Sequence, residues 1–284
     1  GKIDAGDYKQ YIFPLLFFKR IVDYCPFLLD LKLTIETKNS FPHSSGIASS
    51  ASSYSALSLC IMDIEKKINP TISSEFFFNK ASFLSRLGSG SASRSVLGPL
   101  VIWGKTDLFK NSSDLYAVKY LDKIHNNFRN IQDTILLVDK GQKHISSTVG
   151  HGLMNDHSFS GDRLNQVEKN MKLLNKILVS GDFDAFTNIV ELEALTLHAM
   201  MMTSNPYYLL IKPNTLNIIN EIWNYRKNTN SEVCFTLDAG ANIHMLYPKK
   251  NFNTIQKFIN EKLSKYCQNG EFINDHVGYG PNKL

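Results

Sequence analysis

The sequence lacks cysteines at the spacings used for zinc sites and disulfide frameworks. Its four cysteines, Cys25, Cys60, Cys234 and Cys267, lie far apart, and no CxxC or Cys/His ligand pattern occurs. The sequence therefore indicates neither a structural metal nor a disulfide scaffold. We expect free thiols in a reducing cytoplasm, with Cys60 and Cys234 in the core.

Long apolar runs and clusters of basic residues are also missing. No hydrophobic run reaches the length of a membrane span, and no signal peptide is recognisable. The formal net charge is +5, but the lysines and arginines are scattered, which predicts no nucleic-acid partner and is compatible with an anionic ligand. With 43% hydrophobic and 20% charged residues among 284, the composition is that of an ordinary globular protein.

Hydrophobic periodicity predicts helices and strands in an irregular order. The predicted helices cover about Tyr8–Tyr24, Ser49–Lys67, Ser74–Leu87 with a Ser73/Ser74 cap, Gly161–Met202 with a break near Gly181, Thr215–Lys227 and Asn253–Tyr266. The predicted strands cover Leu31–Thr37, Leu100–Trp103, Leu115–Val118, Asp133–Val138, Val233–Leu237 and Ile243–Tyr247. Because strands and helices do not alternate regularly, the fold class is α+β. A soft boundary between 141 and 147 predicts two lobes, 1–141 and 142–284.

A loop of small and hydroxyl residues lies between a predicted strand and a predicted helix, at His43–Ser50. The N–H groups at such a helix start suit a phosphate, so Ser44, Ser45, Gly46, Ser49 and Ser50 are candidate ATP-binding residues. The loop is not a Walker A motif, since no Gly-Lys-Ser/Thr follows. Taken alone, a serine-rich cap on a buried helix is the slightly favoured alternative.

A second loop of this kind ends in an arginine. Its candidate anion-binding residues are Ser89, Gly90, Ser91, Ala92, Ser93 and Arg94. A guanidinium beside a helix start suits a carboxylate or a phosphate. A flexible turn with a surface arginine is an alternative that fits these residues equally well.

Four further residues carry candidate chemistry. Asp238 ends an apolar strand and is followed by small residues, so its carboxylate can face a ligand, although a turn-capping aspartate is the favoured alternative. Ser146 and Thr148 lie at a third hydroxyl-rich helix start, where they can contact a phosphate or simply cap the helix. His198 is predicted in a helix core, with a ligand-pocket position as the alternative.

Together these segments resemble the GHMP kinase superfamily and, within it, the diphosphomevalonate decarboxylases. The resemblance rests on Pro42-His-Ser-Ser-Gly-Ile-Ala-Ser-Ser-Ala51, Gly88-Ser-Gly-Ser-Ala-Ser-Arg-Ser95, Asp238-Ala-Gly-Ala-Asn242 and a Ser-Thr-Val-Gly segment closed by Gly150. It implies a two-lobe fold in which mixed sheets pack against helices, with an active-site cleft between the lobes. It also implies a homodimer.

The resemblance implies a reaction of the mevalonate pathway. ATP phosphorylates the 3-hydroxyl of mevalonate 5-diphosphate, and loss of phosphate and CO2 gives isopentenyl diphosphate. Asp238 would act at the hydroxyl and Arg94 would hold the carboxylate. The segments Ser89–Ser93 and Ser146–Thr148 would bind the substrate, and Ser44–Ser50 would bind ATP, with Ser49 or Ser50 as the candidate Mg²⁺ ligand.

The sequence departs from the family pattern in two places. Ala241 replaces the usual proline, which we expect to be tolerated, and the family's N-terminal Asn-Ile-Ala-x-x-Lys-Tyr-Trp-Gly-Lys motif does not occur, which leaves the substrate open. We therefore expect that the first quarter of a family member is missing here, and that such a fragment has no turnover. The alternative functions are a decarboxylase or 3-kinase acting on mevalonate 5-phosphate or mevalonate, and a non-catalytic ligand-binding member.

Overall fold

The computed structural model describes residues 8–41, 47–141, 150 and 152–283, with side chains from residue 15 onward. Contacts divide the chain into two compact units. Unit 1 comprises Gly1–Ser40, Ala48–Tyr120 and Gly278–Leu284, and unit 2 comprises Phe41–Ile47 and Leu121–Val277. Both contain helices and antiparallel strands, which confirms the predicted α+β class. The boundary expected between 141 and 147 stays a prediction, since 142–149 lie outside the described residues.

Unit 1 is mainly helical. It contains α1 (Tyr8–Ile21), α2 (Ser49–Ile68), α3 (Ser74–Gly88), 3₁₀ helices at Val22–Tyr24, Pro26–Asp30 and Gly90–Val96, and the short antiparallel strands β1 (Val101–Ile102) and β2 (Val118–Lys119). Phe17 and Ile21 of α1 pack with Ile61 of α2 and Leu84 of α3 in one core. The predicted cap of α3 is confirmed, because the Ser73 hydroxyl accepts a hydrogen bond from the Phe76 N–H at 3.1 Å.

The predicted strand Leu31–Thr37 is wrong. These residues belong to no helix or strand, and Leu31 and Leu33 are exposed. Alternating apolar residues can suit a strand, but a strand also requires a neighbour to satisfy its backbone groups. Among the described residues, no strand pairs with this segment. The prediction of Leu115–Val118 overlaps the observed β2 only at Val118.

Unit 2 is built on a four-stranded antiparallel sheet in the order β4-β5-β3-β6. The strands are β3 (Ile131–Leu136), β4 (Cys234–Leu237), β5 (Ile243–Pro248) and β6 (Phe272–His276). The α-helices of unit 2 whose bounds the structure describes are α4 (Asn126–Arg129), α5 (Ser160–Ser180), α6 (Phe183–Met202), α7 (Pro213–Thr229) and α8 (Phe252–Phe258); a π-helical turn, Ile259–Leu263, continues α8. Phe235, Ile243 and Met245 of the sheet pack with Ile218 and Ile255 from α7 and α8.

The predicted break between α5 and α6 is confirmed at Gly181. This residue ends α5 with a positive φ of 85°, and a Cβ atom there would lie 2.3 Å from the His125 ring. Both observations require glycine. Asp182 then caps α6 by accepting from the Ala185 N–H at 2.9 Å.

Two cysteine predictions have different outcomes. Cys234 is buried as predicted, whereas Cys60 is exposed, so its core assignment is wrong. On α2 the adjacent Ile61 and Met62 face the core, and the preceding position points outward because successive helical residues are rotated by about 100°. Among the described residues, no helix is both long and apolar enough for a membrane span.

Candidate active site

The start of α2 carries the described part of the first predicted loop. Ala48 adopts left-handed dihedrals (φ 55°, ψ 34°), and the helix runs from Ser49 for 20 residues. Ala48 has no side-chain acceptor for the N–H groups of the first turn, and an anion is a suitable partner for such groups. Ser49 is buried and Ser50 is half-buried. The candidates Ser44, Ser45 and Gly46 lie outside the described residues.

Small residues let the second loop pack tightly within unit 1. A Cβ atom at Gly88 would lie 2.4 Å from the ring of Tyr54 on α2, and one at Gly90 would lie 3.0 Å from the Trp103 ring. The glycines of this motif therefore serve close packing, beside α2 in the first case and beside β1 in the second. The same packing brings the 3₁₀ helix Gly90–Val96 against α2.

Ser82, a buried serine of α3, supports this 3₁₀ helix through hydrogen bonds on the core side. Ser82 of α3 donates to the Ser93 carbonyl at 2.7 Å and accepts from the Ala117 N–H at 2.8 Å. The Ser93 hydroxyl donates to the Gly90 carbonyl at 2.8 Å, and both Ala92 and Ser93 are fully buried. In this arrangement Ala92 and Ser93 face the interior of unit 1 and hold the loop in shape.

The solvent side of the same loop carries the polar candidates. Ser89, Gly90 and Ser91 are half-buried, and Arg94 is exposed. In the described part of the chain, Arg94 forms no ion pair. A guanidinium without a carboxylate partner, beside hydroxyls on a supported helix, can bind an anionic ligand in bidentate geometry.

Asp238 lies in the hairpin between β4 and β5. The pairing of Leu237 with Ile243 closes this hairpin and leaves 238–242 as its loop. The Asp238 side chain is exposed, and its backbone carbonyl accepts from the Gly240 N–H at 2.7 Å. Within the residues that the structure describes, its carboxylate forms no ion pair. The carboxylate can therefore act on a ligand as a hydrogen-bond acceptor or a base.

Three side chains fix the backbone of the loop 238–242; two come from other parts of unit 2 and one from the loop itself. His198 Nε2 lies 3.1 Å from the Asp238 carbonyl oxygen, and Thr215 Oγ1 donates to the Ala241 carbonyl at 2.8 Å. The Asn242 side chain bonds Asp139 twice, accepting from its N–H at 2.9 Å and donating to its carbonyl at 3.0 Å. The exposed Asp238 carboxylate is thus carried on a firmly held backbone.

These supporting residues were not identified as site residues from the sequence. His198 is buried, which confirms the predicted core position, but its contact with Asp238 spans 40 residues and leaves no recognisable spacing. The sequence marks Asn242 only as the last residue of the Asp-Ala-Gly-Ala-Asn motif, and it marks Thr215 only as the start of a predicted helix. The signal that the sequence offers for these residues is the loop motif itself, because a loop of small residues after Asp238 needs side chains from other elements to hold its backbone.

The predicted site residues fall in both units. Ser49, Ser50 and the Gly88–Arg94 loop belong to unit 1, and the Asp238 loop belongs to unit 2. Ser146 and Thr148 lie outside the described residues. Gly150, which closes their segment, is placed so that a Cβ atom would lie 2.8 Å from the Tyr208 hydroxyl. A common site for all of these residues stays a prediction.

The chain matches two family models and many known proteins. The first model, a diphosphomevalonate decarboxylase-like N-terminal domain, covers residues 15–116, and the second, a mevalonate 5-diphosphate decarboxylase C-terminal domain, covers residues 134–280. A diphosphomevalonate decarboxylase from Saccharomyces cerevisiae is 30% identical over 82% of this chain and 57% of its own length. The chain spans 57–62% of the first curated relatives that it matches.

Solved structures give the same result. The mevalonate diphosphate decarboxylase from Enterococcus faecalis aligns with a TM-score of 0.76 and 26% identity, over 96% of this chain and 77% of that chain. A complex of MDDEF with MVAPP, AMPPCP and magnesium aligns with a TM-score of 0.74 and 25% identity, over 98% of this chain and 79% of that chain. Since the second family model alone covers more than half of the residues, the chain belongs to the diphosphomevalonate decarboxylase family.

Proposed function

We propose that the protein containing this chain converts mevalonate 5-diphosphate and ATP to isopentenyl diphosphate, CO2, ADP and phosphate. The observation that carries the proposal is the exposed Asp238 carboxylate on a loop fixed by His198, Thr215 and Asn242. Two solved relatives support the substrates, since their descriptions name mevalonate diphosphate with ATP binding, and MVAPP with AMPPCP and magnesium.

Asp238 acts at the tertiary 3-hydroxyl of the substrate. Its carboxylate accepts a hydrogen bond from this hydroxyl, orients the oxygen toward the γ-phosphorus of ATP and takes its proton. The new P–O bond forms as the bond from the γ-phosphorus to ADP breaks. Asp238 passes this proton to water or to the departing phosphate oxygens and is ionised again. Departure of the tertiary phosphate then builds positive charge on C3, which the ionised carboxylate stabilises. Loss of CO2 supplies the electron pair of the new double bond.

Arg94 binds the substrate carboxylate in this scheme. Arg94 is exposed on the supported 3₁₀ helix, and the half-buried Ser89 and Ser91 lie at the start of that helix. A bidentate guanidinium holds the carboxylate so that its C–C bond lies parallel to the empty p orbital that forms at C3. Ser146 and Thr148 are proposed as further ligands of the substrate oxyanions.

The start of α2 binds the ATP phosphates. The first-turn N–H groups and the Ser49 and Ser50 hydroxyls supply donors, with Ser44, Ser45 and Gly46 as proposed neighbours. Among the described residues, no group of three or more acidic, histidine or cysteine side chains could hold a metal. Mg²⁺ commonly binds through substrate phosphates, water and one or two protein oxygens. Ser49 or Ser50 would hold the ion, which neutralises phosphate charge.

The test compares substrates and variants in one assay. ADP release and product mass are measured with mevalonate 5-diphosphate, mevalonate 5-phosphate and mevalonate, each with Mg-ATP. We expect isopentenyl diphosphate from the diphosphate, and loss of activity in D238A. The control D156A removes another exposed aspartate of unit 2 and leaves the rate unchanged. Normal decarboxylation by D238A, or turnover only with another substrate, contradicts the proposal.

The family resemblance also supports a homodimer, and the four free cysteines support a reducing cytoplasm as its compartment. Size-exclusion chromatography with light scattering tests the dimer, and a monomeric mass at micromolar concentration contradicts it. Localisation of a tagged copy by cell fractionation tests the compartment.

A further inference from the structure

We infer that His198 is a positioning residue for Asp238, an inference that rests on the proposed function. His198 lies in the C-terminal part of α6 and is 2% exposed. Its Nε2 atom is 3.1 Å from the carbonyl oxygen of Asp238 itself. A carbonyl oxygen can only accept, so Nε2 carries the hydrogen of this bond. The imidazole therefore determines where the Asp238 peptide group lies.

The helix that carries His198 provides a rigid base. Ala194, four residues earlier, belongs to the core of unit 2, and α6 packs along β4, the strand that ends just before Asp238. Glu191, one turn further back, accepts from the Phe235 N–H of β4 at 3.4 Å. The positions of α6 and β4 are thus coupled at several points, and His198 extends this coupling to the first loop residue.

The other loop supports act at a different place. Thr215 holds the Ala241 carbonyl, and Asn242 holds Asp139, so both fix the distal end of the hairpin loop. The Asp238 carbonyl has two partners among the described residues, the Gly240 N–H within the loop and the His198 imidazole. Loss of the imidazole donor would leave the distal end fixed and let the Asp238 peptide rotate. A carboxylate misplaced by about 1 Å can lower a rate about 10²-fold.

The experiment compares His198→Leu with His198→Gln in the protein that contains this chain. The glutamine amide can place an N–H near the Nε2 position, whereas leucine fills volume without donating. We expect H198L to lower kcat about 10- to 100-fold with little change in KM for ATP or mevalonate 5-diphosphate. We expect H198Q to restore most of the rate.

A second buried histidine of unit 2 gives a matched control. His157 Nε2 contacts the Met200 carbonyl at 3.0 Å and the Thr203 hydroxyl at 3.1 Å, near the end of α6 but not at Asp238. We expect H157L to lower Tm while kcat per folded molecule is unchanged. If H198L fails to fold, His198→Asn replaces it, because the shorter amide cannot reach the carbonyl and should be slower than H198Q.

A double-mutant cycle separates positioning from general stability. His198 acts through Asp238, so H198L should not slow the residual reaction of D238N further. An equal fold loss in both backgrounds overturns the inference, as does wild-type kcat in H198L. Failure of the wild-type protein to decarboxylate mevalonate 5-diphosphate overturns the proposed function instead, and the two failures are therefore distinguishable.

Discussion

The buried carboxylate of Glu191 connects several elements of unit 2, and its replacement tests how much this connection contributes to stability. The carboxylate accepts from Arg226 Nη1 at 2.6 Å, Arg226 Nη2 at 3.1 Å and Trp223 Nε1 at 2.8 Å. These bonds connect α6 to α7, and Glu191 also reaches the N–H of Phe235 on β4. Glu191→Leu leaves a guanidinium and an indole N–H without their acceptor.

The expected loss follows from burial of the remaining partner. Removal of one member of a buried ion pair costs about 3–5 kcal/mol. The Arg226 side chain is 25% exposed and retains its bond to the Val233 carbonyl, so we expect the lower end, about 3 kcal/mol. For a domain of about 150–250 residues this corresponds to a fall in Tm of roughly 6–12 °C.

Urea unfolding followed by circular dichroism measures this loss. Trp223, one of two tryptophans in the chain, adds a local fluorescence signal. The double variant E191L/R226M replaces both charges with apolar side chains and should recover to within about 1 kcal/mol of wild type. The control E168Q removes a fully exposed i,i+4 partner of Lys172 and should leave Tm unchanged. A loss below about 1 kcal/mol in E191L, or a double variant no better than the single one, refutes the reasoning.

Three further predictions concern other features. Gly88→Ala places a Cβ atom 2.4 Å from the Tyr54 ring and should lower the free energy of unfolding in urea by about 1–3 kcal/mol. The control Gly161→Ala places its Cβ atom with nothing within 4 Å and should not lower the stability. Equal stability of the two variants contradicts the packing argument. Cys60 should be the only cysteine of this chain alkylated rapidly at pH 8, as read by peptide mass spectrometry, because the other three are buried; rapid labelling of any of those contradicts it. Burial alone would raise the pKa of Glu193, but hydrogen bonds from Arg163 and Asn170 outweigh it and lower the pKa below 4.5. The ionised carboxylate therefore stabilises the folded protein at neutral pH, and this contribution is lost as the pH falls below 4.5. E193Q should flatten the acid limb of Tm against pH, and an unchanged limb would contradict this sign.

Local signals made much of the fold predictable. The Ser73 cap and the glycine between α5 and α6 act over a few residues, and the structure confirms both. The strand expected at Leu31–Thr37 failed because strand formation depends on a partner elsewhere in the chain. The edge strand Phe272–His276 was missed for a related reason: most of its residues are exposed, so it lacks a clear apolar alternation.

The candidate site shows the same limit. The small-residue loops and Asp238 were visible as composition, and the family resemblance assigned them chemistry. The supports of these loops were not visible, because Ser82 and His198 bond to backbone carbonyls, which every residue type carries. A contact with a backbone group imposes no pattern on the partner's side chain, so its position cannot be read from one sequence.

The closed register of the β4–β5 hairpin limits how this region can change in length. Leu237 pairs with Ile243, and both ends of the intervening loop are fixed. One inserted residue adds about 3.3 Å of chain and would either bulge the sheet or displace the carboxylate from its place. The connection 103–117 between β1 and β2 is longer, and its turn at Lys110 and Asn111 is exposed. Insertions and fused tags should therefore be accepted at that turn and rejected between Asp238 and Asn242.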